Sequence, residues 1–156
     1  MQESGTLVKE FYTAFSTLDA EGMQRCYSAS PVFSDPVFGL LQGDEVFYMW
    51  AMLCRQAKNF SLQSGNVQHI DEEYCTCEWT AAYSLSATGR TVVNRCKAYM
   101  RIQNGAITEH TDKFDFWSWS RQALGLPGLL LGWTGFLQQQ VQKKAKKRLA
   151  DYIKRQ

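Results

Sequence analysis

The spacing of the apolar residues changes along this chain, and the change restricts the folds that it can adopt. Near the N-terminus, apolar residues recur every three or four positions, which is the period of a helix with one buried face. Further along, apolar and polar residues alternate, which is the period of an antiparallel strand with one buried face. The helical set is Leu7, Phe11, Phe15 and Leu18, and the alternating set is Cys75, Cys77, Trp79, Ala81, Tyr83 and Leu85.

Capping and turn residues divide these stretches into elements. Ser4 and Asp19 can cap the first two helices, Pro31 can end the second, and Gly43 with Asp44 can open a third. Strands are predicted at residues 60–69, 75–85, 91–102 and 107–117. Because helices come first and strands follow, the pattern predicts an α+β domain with an antiparallel sheet.

The Asn-Gly dipeptide at 104–105 marks the turn of the last hairpin, and the length of this turn decides which side chains share a face. A two-residue loop would pair Gln103 with Ala106 and would put even residues of one strand beside odd residues of the other. A three-residue loop would pair Ile102 with Ala106, so that the even residues of both strands share a face. Since a slip of one residue turns every side chain over, burial favours the three-residue loop.

Three polar residues interrupt the apolar face that this register creates. Ala98 would face His110, Cys96 would face Asp112, and Asn94 would lie diagonal to Asp112. A histidine and a carboxylate on a buried face must form a hydrogen bond with each other or take part in a reaction. The sequence therefore predicts a pocket here, and both interpretations of the pair stay open.

Four segments carry a resemblance to a known family: Phe-Tyr-Thr-Ala-Phe at 11–15, Leu-Asp-Ala-Glu-Gly at 18–22, Val-Phe-Ser-Asp-Pro-Val-Phe-Gly at 32–39 and Ile-Thr-Glu-His-Thr-Asp at 107–112. They resemble the nuclear transport factor two-like superfamily, in its SnoaL-like and ketosteroid-isomerase-like branch. The resemblance implies a cone-shaped curved antiparallel β-sheet wrapped by three N-terminal helices, formed by residues 1–120. It also implies a homodimer through the outer sheet face and an apolar small molecule as the ligand.

The resemblance implies catalytic roles for two aspartates. Asp35 matches the general base of the steroid isomerases, although Asp before Pro can also simply form a turn. Their oxyanion donors are missing here, because Phe11 stands at the tyrosine position and Ala98 stands near the protonated aspartate. A true ketosteroid isomerase is therefore not expected. Asp112 lies where SnoaL-like cyclases carry their acid/base carboxylate, and His110 on the same face could perturb it or relay its proton.

The pocket wall is predicted to be mainly aromatic, since the chain is 13% aromatic and such residues often line cavities for apolar ligands. We expect no metal, because no His or Cys cluster has the spacing of a zinc site, and no cofactor, because the implied cyclisation needs none. The predicted lining residues are Phe11, Tyr12, Phe15, Trp50, Trp79, Tyr83, Asn94, Ala98, Met100 and Phe114.

Residues 121–156 add an apolar segment at 124–137 and then a basic amphipathic helix. Residues 143–156 contain seven Lys and Arg and one Asp, whereas the rest of the chain carries ten basic and fourteen acidic residues. We expect the apolar segment to close over the cone mouth or the dimer edge, and the helix to pack its apolar stripe on the domain. Contact of the basic tail with an anionic membrane is the alternative, and a nucleic-acid partner is not expected.

Three functions fit these observations. The first is a cofactor-free isomerase or cyclase acting on an apolar carbonyl or polyketide-like compound through Asp112, His110 and Asp35. The second is a non-catalytic binder that uses the same pocket, and the third is a peripheral membrane or nucleic-acid module led by the tail. Five scattered cysteines and the lack of an N-terminal signal pattern predict a cytoplasmic protein with reduced thiols.

Overall fold

The computed structural model describes residues 2–156. The predicted helices and strands appear in the predicted order, with two further strands between the second and third helices and two short helices before the C-terminal one. Asp19 caps the second helix by accepting a hydrogen bond from the Gly22 N–H at 2.9 Å, and the third helix begins after Gly43, both as predicted. Ser4 instead lies inside the first helix, and Pro31 lies in a strand. The elements are α1 (Gln2–Ser16), α2 (Ala20–Cys26), β1 (Tyr27–Asp35), β2 (Gly39–Gln42), α3 (Asp44–Gln56), β3 (Lys58–His69), β4 (Tyr74–Ser84), β5 (Thr91–Gln103), β6 (Ala106–Lys113), α4 (Phe116–Leu124), α5 (Leu126–Leu131) and α6 (Gly135–Lys154).

One six-stranded sheet forms the body, in the order β2-β1-β6-β5-β4-β3. Neighbouring strands are antiparallel except β1 and β6, which run parallel. α1 packs against β3 and β4, and α3 packs against β1 and β2, so that the main core lies between the helices and the sheet. This is the predicted architecture of a curved sheet wrapped by three N-terminal helices.

The hairpin between β5 and β6 has a shorter turn than the one predicted. Its loop consists of Asn104 and Gly105, both in the left-handed region with φ of 52° and 75°. Gln103 pairs with Ala106, which is the two-residue loop. An Asn-Gly pair suits this turn because both central residues must adopt positive φ.

A β-bulge at Thr108 then restores the predicted buried face. Thr108 is an extra residue in β6, and it turns the following side chains over. The even residues of both strands therefore share the buried face, as predicted. The predicted cross-strand pairs are wrong, because each partner on β5 is displaced by two residues: His110 faces Met100 and Asp112 faces Ala98.

The sheet ends earlier than the alternation suggested, because β6 ends at Lys113 and a helix follows. The side chain of Asp115 accepts hydrogen bonds from the N–H groups of Trp117 at 3.0 Å and Ser118 at 3.3 Å. It thereby caps α4, which begins at Phe116. The apparent continuation of the strand pattern was therefore the start of an amphipathic helix.

The apolar segment before α6 reaches the cavity wall only at Leu124, so it does not cover the cone mouth, and its expected alternative place at a dimer edge stays a prediction. A Cβ atom on Gly128 would overlap the main-chain carbonyl of Ser120, so the segment packs on α4 through its glycines and turns its large side chains outward. No helix within residues 2–156 is long and apolar enough to cross a membrane. The exposed fractions are 65% for Leu126, 48% for Leu129, 59% for Leu130, 45% for Leu131, 73% for Trp133 and 65% for Phe136.

Candidate functional site

A cavity of about 300 Å³ is enclosed by the sheet, α3 and the C-terminal helices. Its volume and its mainly apolar wall are typical of small-molecule pockets. The strands also place two carboxylates, Asp35 and Asp112, and the amide of Asn94 in this wall. The aromatic part of the wall comprises Phe15, Phe38, Trp50, Phe60, Trp79, Tyr83, Phe114 and Trp119.

The parallel pairing of β1 with β6 brings the two carboxylates together. Its register pairs Ser34 with Thr111. Continued by one residue, this register sets Asp35 beside Asp112 on strands about 4.8 Å apart. Burial, and then the charges of Asp112 and Asp35, raise the pKa of the Cys96 thiol, which agrees with a position close to both carboxylates.

A chain of buried hydrogen bonds holds Asp112 from behind. Its Oδ1 accepts the Nε1–H of Trp79 at 3.2 Å and lies 3.0 Å from Nε2 of His110. Nδ1 of the same imidazole lies 2.7 Å from the hydroxyl of Tyr27, which accepts the Nε1–H of Trp50 at 3.0 Å. Because that hydroxyl accepts one hydrogen bond and can donate the other, we assign the imidazole proton to Nε2, from which it is donated to the carboxylate.

His110 lies behind the cavity wall rather than in it. The imidazole is 1% exposed and is packed among the rings of Phe11, Phe33 and Trp50, with centroids 5.4, 5.1 and 6.2 Å away. Its contact with the site therefore goes through Asp112. Oδ2 of Asp112 makes no hydrogen bond to any described residue and is the oxygen that can face the cavity.

Asp35 both forms a turn and lines the cavity. Its Oδ1 accepts hydrogen bonds from the main-chain N–H groups of Val37 at 2.9 Å and Phe38 at 2.6 Å, which is the turn expected of Asp before Pro. Burial raises the pKa of Asp35 to about 7, and the charge of Asp112 adds to this effect, while the two N–H donors oppose it. At neutral pH the Asp35 carboxyl is therefore present in both protonation forms.

Two neutral side chains add hydrogen-bond donors to the cavity. The Asn94 amide has no partner among residues 2–156 and lines the cavity. It lies further from Asp112 than the predicted diagonal position, since Ala98 is the residue opposite Asp112. The Tyr83 hydroxyl accepts the Nε1–H of Trp119 at 2.9 Å, and burial raises its pKa to about 12, so it keeps a proton to donate.

Four of the ten predicted lining residues lie outside the cavity wall. Phe11, Tyr12, Ala98 and Met100 are at most 2% exposed and belong to the packed core. The physical reason is that the buried face of the sheet is longer than the cavity, and side chains from α1 fill the remainder. The residues that do line the cavity are Phe15, Trp50, Trp79, Tyr83, Asn94 and Phe114.

The C-terminal helix contributes a part of the wall that the sequence interpretation missed. Val141, Lys144, Ala145 and Arg148 of α6 all line the cavity. Their spacing is that of one helical face, so the signal was present in the sequence. What the sequence could not show is that this face lies over the cavity rather than elsewhere on the domain.

The fold and the cavity define a class, the cone-shaped α+β proteins in which a curved sheet and helices enclose a pocket. The model of the SnoaL-like domain matches residues 8–110, so the chain belongs to the SnoaL-like domain family. α4, α5 and α6 lie beyond the matched residues. No curated protein matches the chain.

Solved structures with the same fold are distant in sequence. A protein with a ketosteroid isomerase-like fold from Catenulispora acidiphila, in complex with trimethylamine, is 17% identical with a TM-score of 0.67 over 82% of this chain and 96% of its own. A nuclear transport factor 2-like protein of unknown function from Burkholderia pseudomallei is 20% identical with a TM-score of 0.69, over 80% of this chain and 99% of its own. A candidate polyketide cyclase from Xanthomonas campestris is 17% identical with a TM-score of 0.64, over 78% of this chain and 97% of its own.

Proposed function

We propose that this chain is a cofactor-free acid/base isomerase or cyclase that acts on an apolar carbonyl or polyketide-like compound. The observation that supports this proposal is the placement of Asp35, whose pKa is about 7, beside Asp112 in an apolar cavity. A general base works best when its pKa lies near the working pH. Two neighbouring carboxylates of different environment are a common arrangement for moving protons.

The reaction would begin with removal of a proton from carbon. Ionised Asp35 takes a proton from the carbon next to the carbonyl group. The electron pair of that C–H bond forms a C=C bond, and the π pair of the carbonyl group moves to its oxygen to give an enolate. The amide N–H of Asn94 and the hydroxyl of Tyr83 are donors available to that oxygen. In an isomerase acting on an unsaturated carbonyl compound, the enolate is conjugated with the neighbouring C=C bond, and protonated Asp35 returns the proton to the far carbon of that system, so that the double bond moves. In a cyclase, the enolate carbon attacks a second carbonyl of the same molecule, and the new alkoxide takes the proton.

Asp112 would assist from the neighbouring strand. Its charge helps to keep the pKa of Asp35 near neutrality, after the larger effect of burial. Its Oδ2, which makes no hydrogen bond to a described residue, would be a second site at which a proton can be held. His110 would be a positioning residue, because its imidazole fixes Oδ1 of Asp112 and lies behind the wall.

Proton exchange on a simple ketone tests this proposal directly. 2-Tetralone is incubated with the protein in D₂O, and the loss of its α-proton signals is followed by NMR. We expect wild type to accelerate exchange, and Asp35→Asn to lose about 100-fold or more of that acceleration, since a general base contributes roughly 10²–10⁴-fold. Glu78→Gln, which changes an exposed carboxylate on β4, is the matched control and should leave the rate unchanged.

The exchange experiment, together with a measurement of the melting temperature in the presence of 2-tetralone, separates an enzyme from a non-catalytic binder. The binder alternative is supported by the turn that Asp35 forms with the N–H groups of Val37 and Phe38. If 2-tetralone raises the melting temperature but exchanges no faster than in buffer, the chain binds without catalysing, and the enzyme proposal fails. An unchanged exchange rate in Asp35→Asn would equally contradict the role given to this residue.

A second candidate function is contact with an anionic membrane surface, and we propose it for the apolar segment at 124–137. Its exposed leucines, Trp133 and Phe136 form a large apolar surface, which in soluble domains marks an interaction site. Arg90 and Arg121 flank it: Arg90 donates to the carbonyl of Gln122 at 2.7 Å, and Arg121 stacks on a neighbouring tryptophan. Residues 116–150 contain no Asp or Glu, which suits an anionic lipid surface.

Vesicle sedimentation tests this second function. We expect the protein to bind vesicles of phosphatidylcholine and phosphatidylserine more strongly than vesicles of phosphatidylcholine alone, and to be released by salt. Leu130→Gln with Phe136→Gln should abolish this binding. Leu40→Gln with Ile70→Gln removes two equally exposed apolar side chains elsewhere and should retain it. Loss of a dimer in gel filtration, without vesicle binding by wild type, would assign the surface to a second copy instead.

A further inference from the structure

Two cationic side chains stand at the rim of the cavity, on a helix outside the family-matched residues. Lys144 and Arg148 line the cavity together with Val141 and Ala145 on one face of α6. Both cations are exposed to solvent, whereas Asp112 is only 3% exposed. The cavity therefore has a cationic mouth and an acidic inner wall.

The position of α6 at this rim is fixed by specific contacts. Leu149 is 1% exposed and anchors the helix on the core. The side-chain amide of Gln142 donates to the main-chain carbonyl of Pro36 at 3.1 Å, next to Asp35. The Arg148 guanidinium donates to Oε1 of Gln56 at 3.1 Å, and Gln56 itself lines the cavity. A neutral partner thus holds the guanidinium at the mouth without cancelling its charge.

The two cations at the mouth are not held in ion pairs. Neither Lys144 nor Arg148 forms an ion pair within residues 2–156, where the pairs that do form lie elsewhere. Residues 116–150 contain no carboxylate, and Asp151, one turn after Arg148 on α6, forms no ion pair with either cation. Unpaired cations at the rim of an apolar cleft attract anionic ligands, and Arg in particular binds a carboxylate through two N–H groups.

We infer that the cavity takes an amphipathic ligand with a carboxylate at Lys144 and Arg148 and an apolar, carbonyl-bearing end toward Asp35 and Asp112. The reverse orientation is disfavoured, because a carboxylate placed against the two aspartates would meet like charges. The identity of the inner carbonyl end rests on the proposed function. The requirement for an anionic outer end rests only on the two cations of α6 and their place at the rim.

Two ligands that match in shape and differ in charge test this requirement. Isothermal titration calorimetry compares 2-naphthoate with 2-naphthamide, which has almost the same shape and no charge. We expect wild type to bind the carboxylate more tightly, and Lys144→Gln with Arg148→Gln to weaken carboxylate binding by about two- to thirtyfold, the range of two exposed ion pairs. Binding of the amide should change by less than about twofold. The control Lys143→Gln with Lys147→Gln removes the same charge from exposed positions of α6 outside the cavity wall and should retain carboxylate binding.

Three results would overturn the inference. These are equal loss of carboxylate affinity in the control variant, equal affinity of wild type for the two ligands, and no binding of either ligand. The proposed acid/base function is judged separately by exchange on 2-tetralone, which carries no charge. Carboxylate selectivity without ketone exchange would support this inference and reject the enzyme, whereas exchange without carboxylate selectivity would do the opposite.

Discussion

Two buried tyrosines provide a sharp test of the hydrogen-bond chain behind the cavity. Tyr27 and Tyr12 are 6% and 2% exposed, so replacing either with phenylalanine removes one hydroxyl and almost no packing. The hydroxyl of Tyr27 joins the Nε1–H of Trp50 at 3.0 Å to Nδ1 of His110 at 2.7 Å. The hydroxyl of Tyr12 has no hydrogen-bond partner within residues 2–156. The same chemical change should therefore have different effects at the two sites.

The magnitude follows from the groups that each change leaves without a partner. Tyr27→Phe leaves a buried indole N–H and a buried imidazole nitrogen without hydrogen-bond partners. Each such group lowers the free energy of unfolding by about 1–3 kcal/mol. We expect a loss of about 2–6 kcal/mol, which corresponds to a fall in melting temperature of about 4–24 °C for a chain of this size. Tyr12→Phe removes a buried hydroxyl that is already unpaired, so its stability should be unchanged or higher by up to about 1 kcal/mol.

The assay is urea unfolding followed by tryptophan fluorescence, with circular dichroism as a second probe to check two-state behaviour. The difference between the two variants is the measured quantity, because both lose the same atom. If Tyr12→Phe is as destabilised as Tyr27→Phe, hydroxyl loss is costly regardless of partners. The reasoning from the chain Trp50–Tyr27–His110–Asp112 would then be refuted.

Three further predictions concern Asp35 and the glycine contacts of α5. The pKa of Asp35 is about 7 in the folded chain against an ordinary value of 3.8, so the folded state holds this proton more tightly and the group lowers stability as pH rises from about 4 to 7. Asp35→Asn should therefore melt above wild type at pH 8 and equal to it near pH 4 in thermal unfolding. The α-proton exchange rate of 2-tetralone should increase with pH and level off above about pH 7, as Asp35 ionises; a pH-independent rate would contradict the assigned base. Gly128→Ala should lose about 1–3 kcal/mol in urea unfolding through overlap with Ser120, whereas Gly65→Ala, which has open space at its Cβ, should not show that loss.

The hairpin of β5 and β6 shows which level of structure the apolar pattern controls. Alternation placed the even residues of both strands on one buried face, and that face is observed. The turn that was deduced from it was wrong, because a two-residue turn with a bulge at Thr108 produces the same burial. Burial selects which face is inside, and several backbone solutions can satisfy that single condition.

The candidate site was only partly predictable, for a similar reason. His110 and Asp112 were identified because polar residues on a buried face need an explanation, and their hydrogen bond is observed at 3.0 Å. The place of His110 behind the wall was not predictable, because it depends on the aromatic rings that α1 and α3 pack around it. The neighbouring position of Asp35 was not predictable either, since nothing local marks β1 as the parallel partner of β6.

The sequence by itself determined the order of helices and strands, the buried face of the sheet and the presence of polar groups on that face. These properties depend on local periodicity and on capping residues, which act over a few positions. The tertiary structure decided that Asp35 stands beside Asp112 and that α6 brings Lys144 and Arg148 to the cavity rim. Those placements depend on pairings between segments far apart in the chain, whose energies come from the packing of the whole domain.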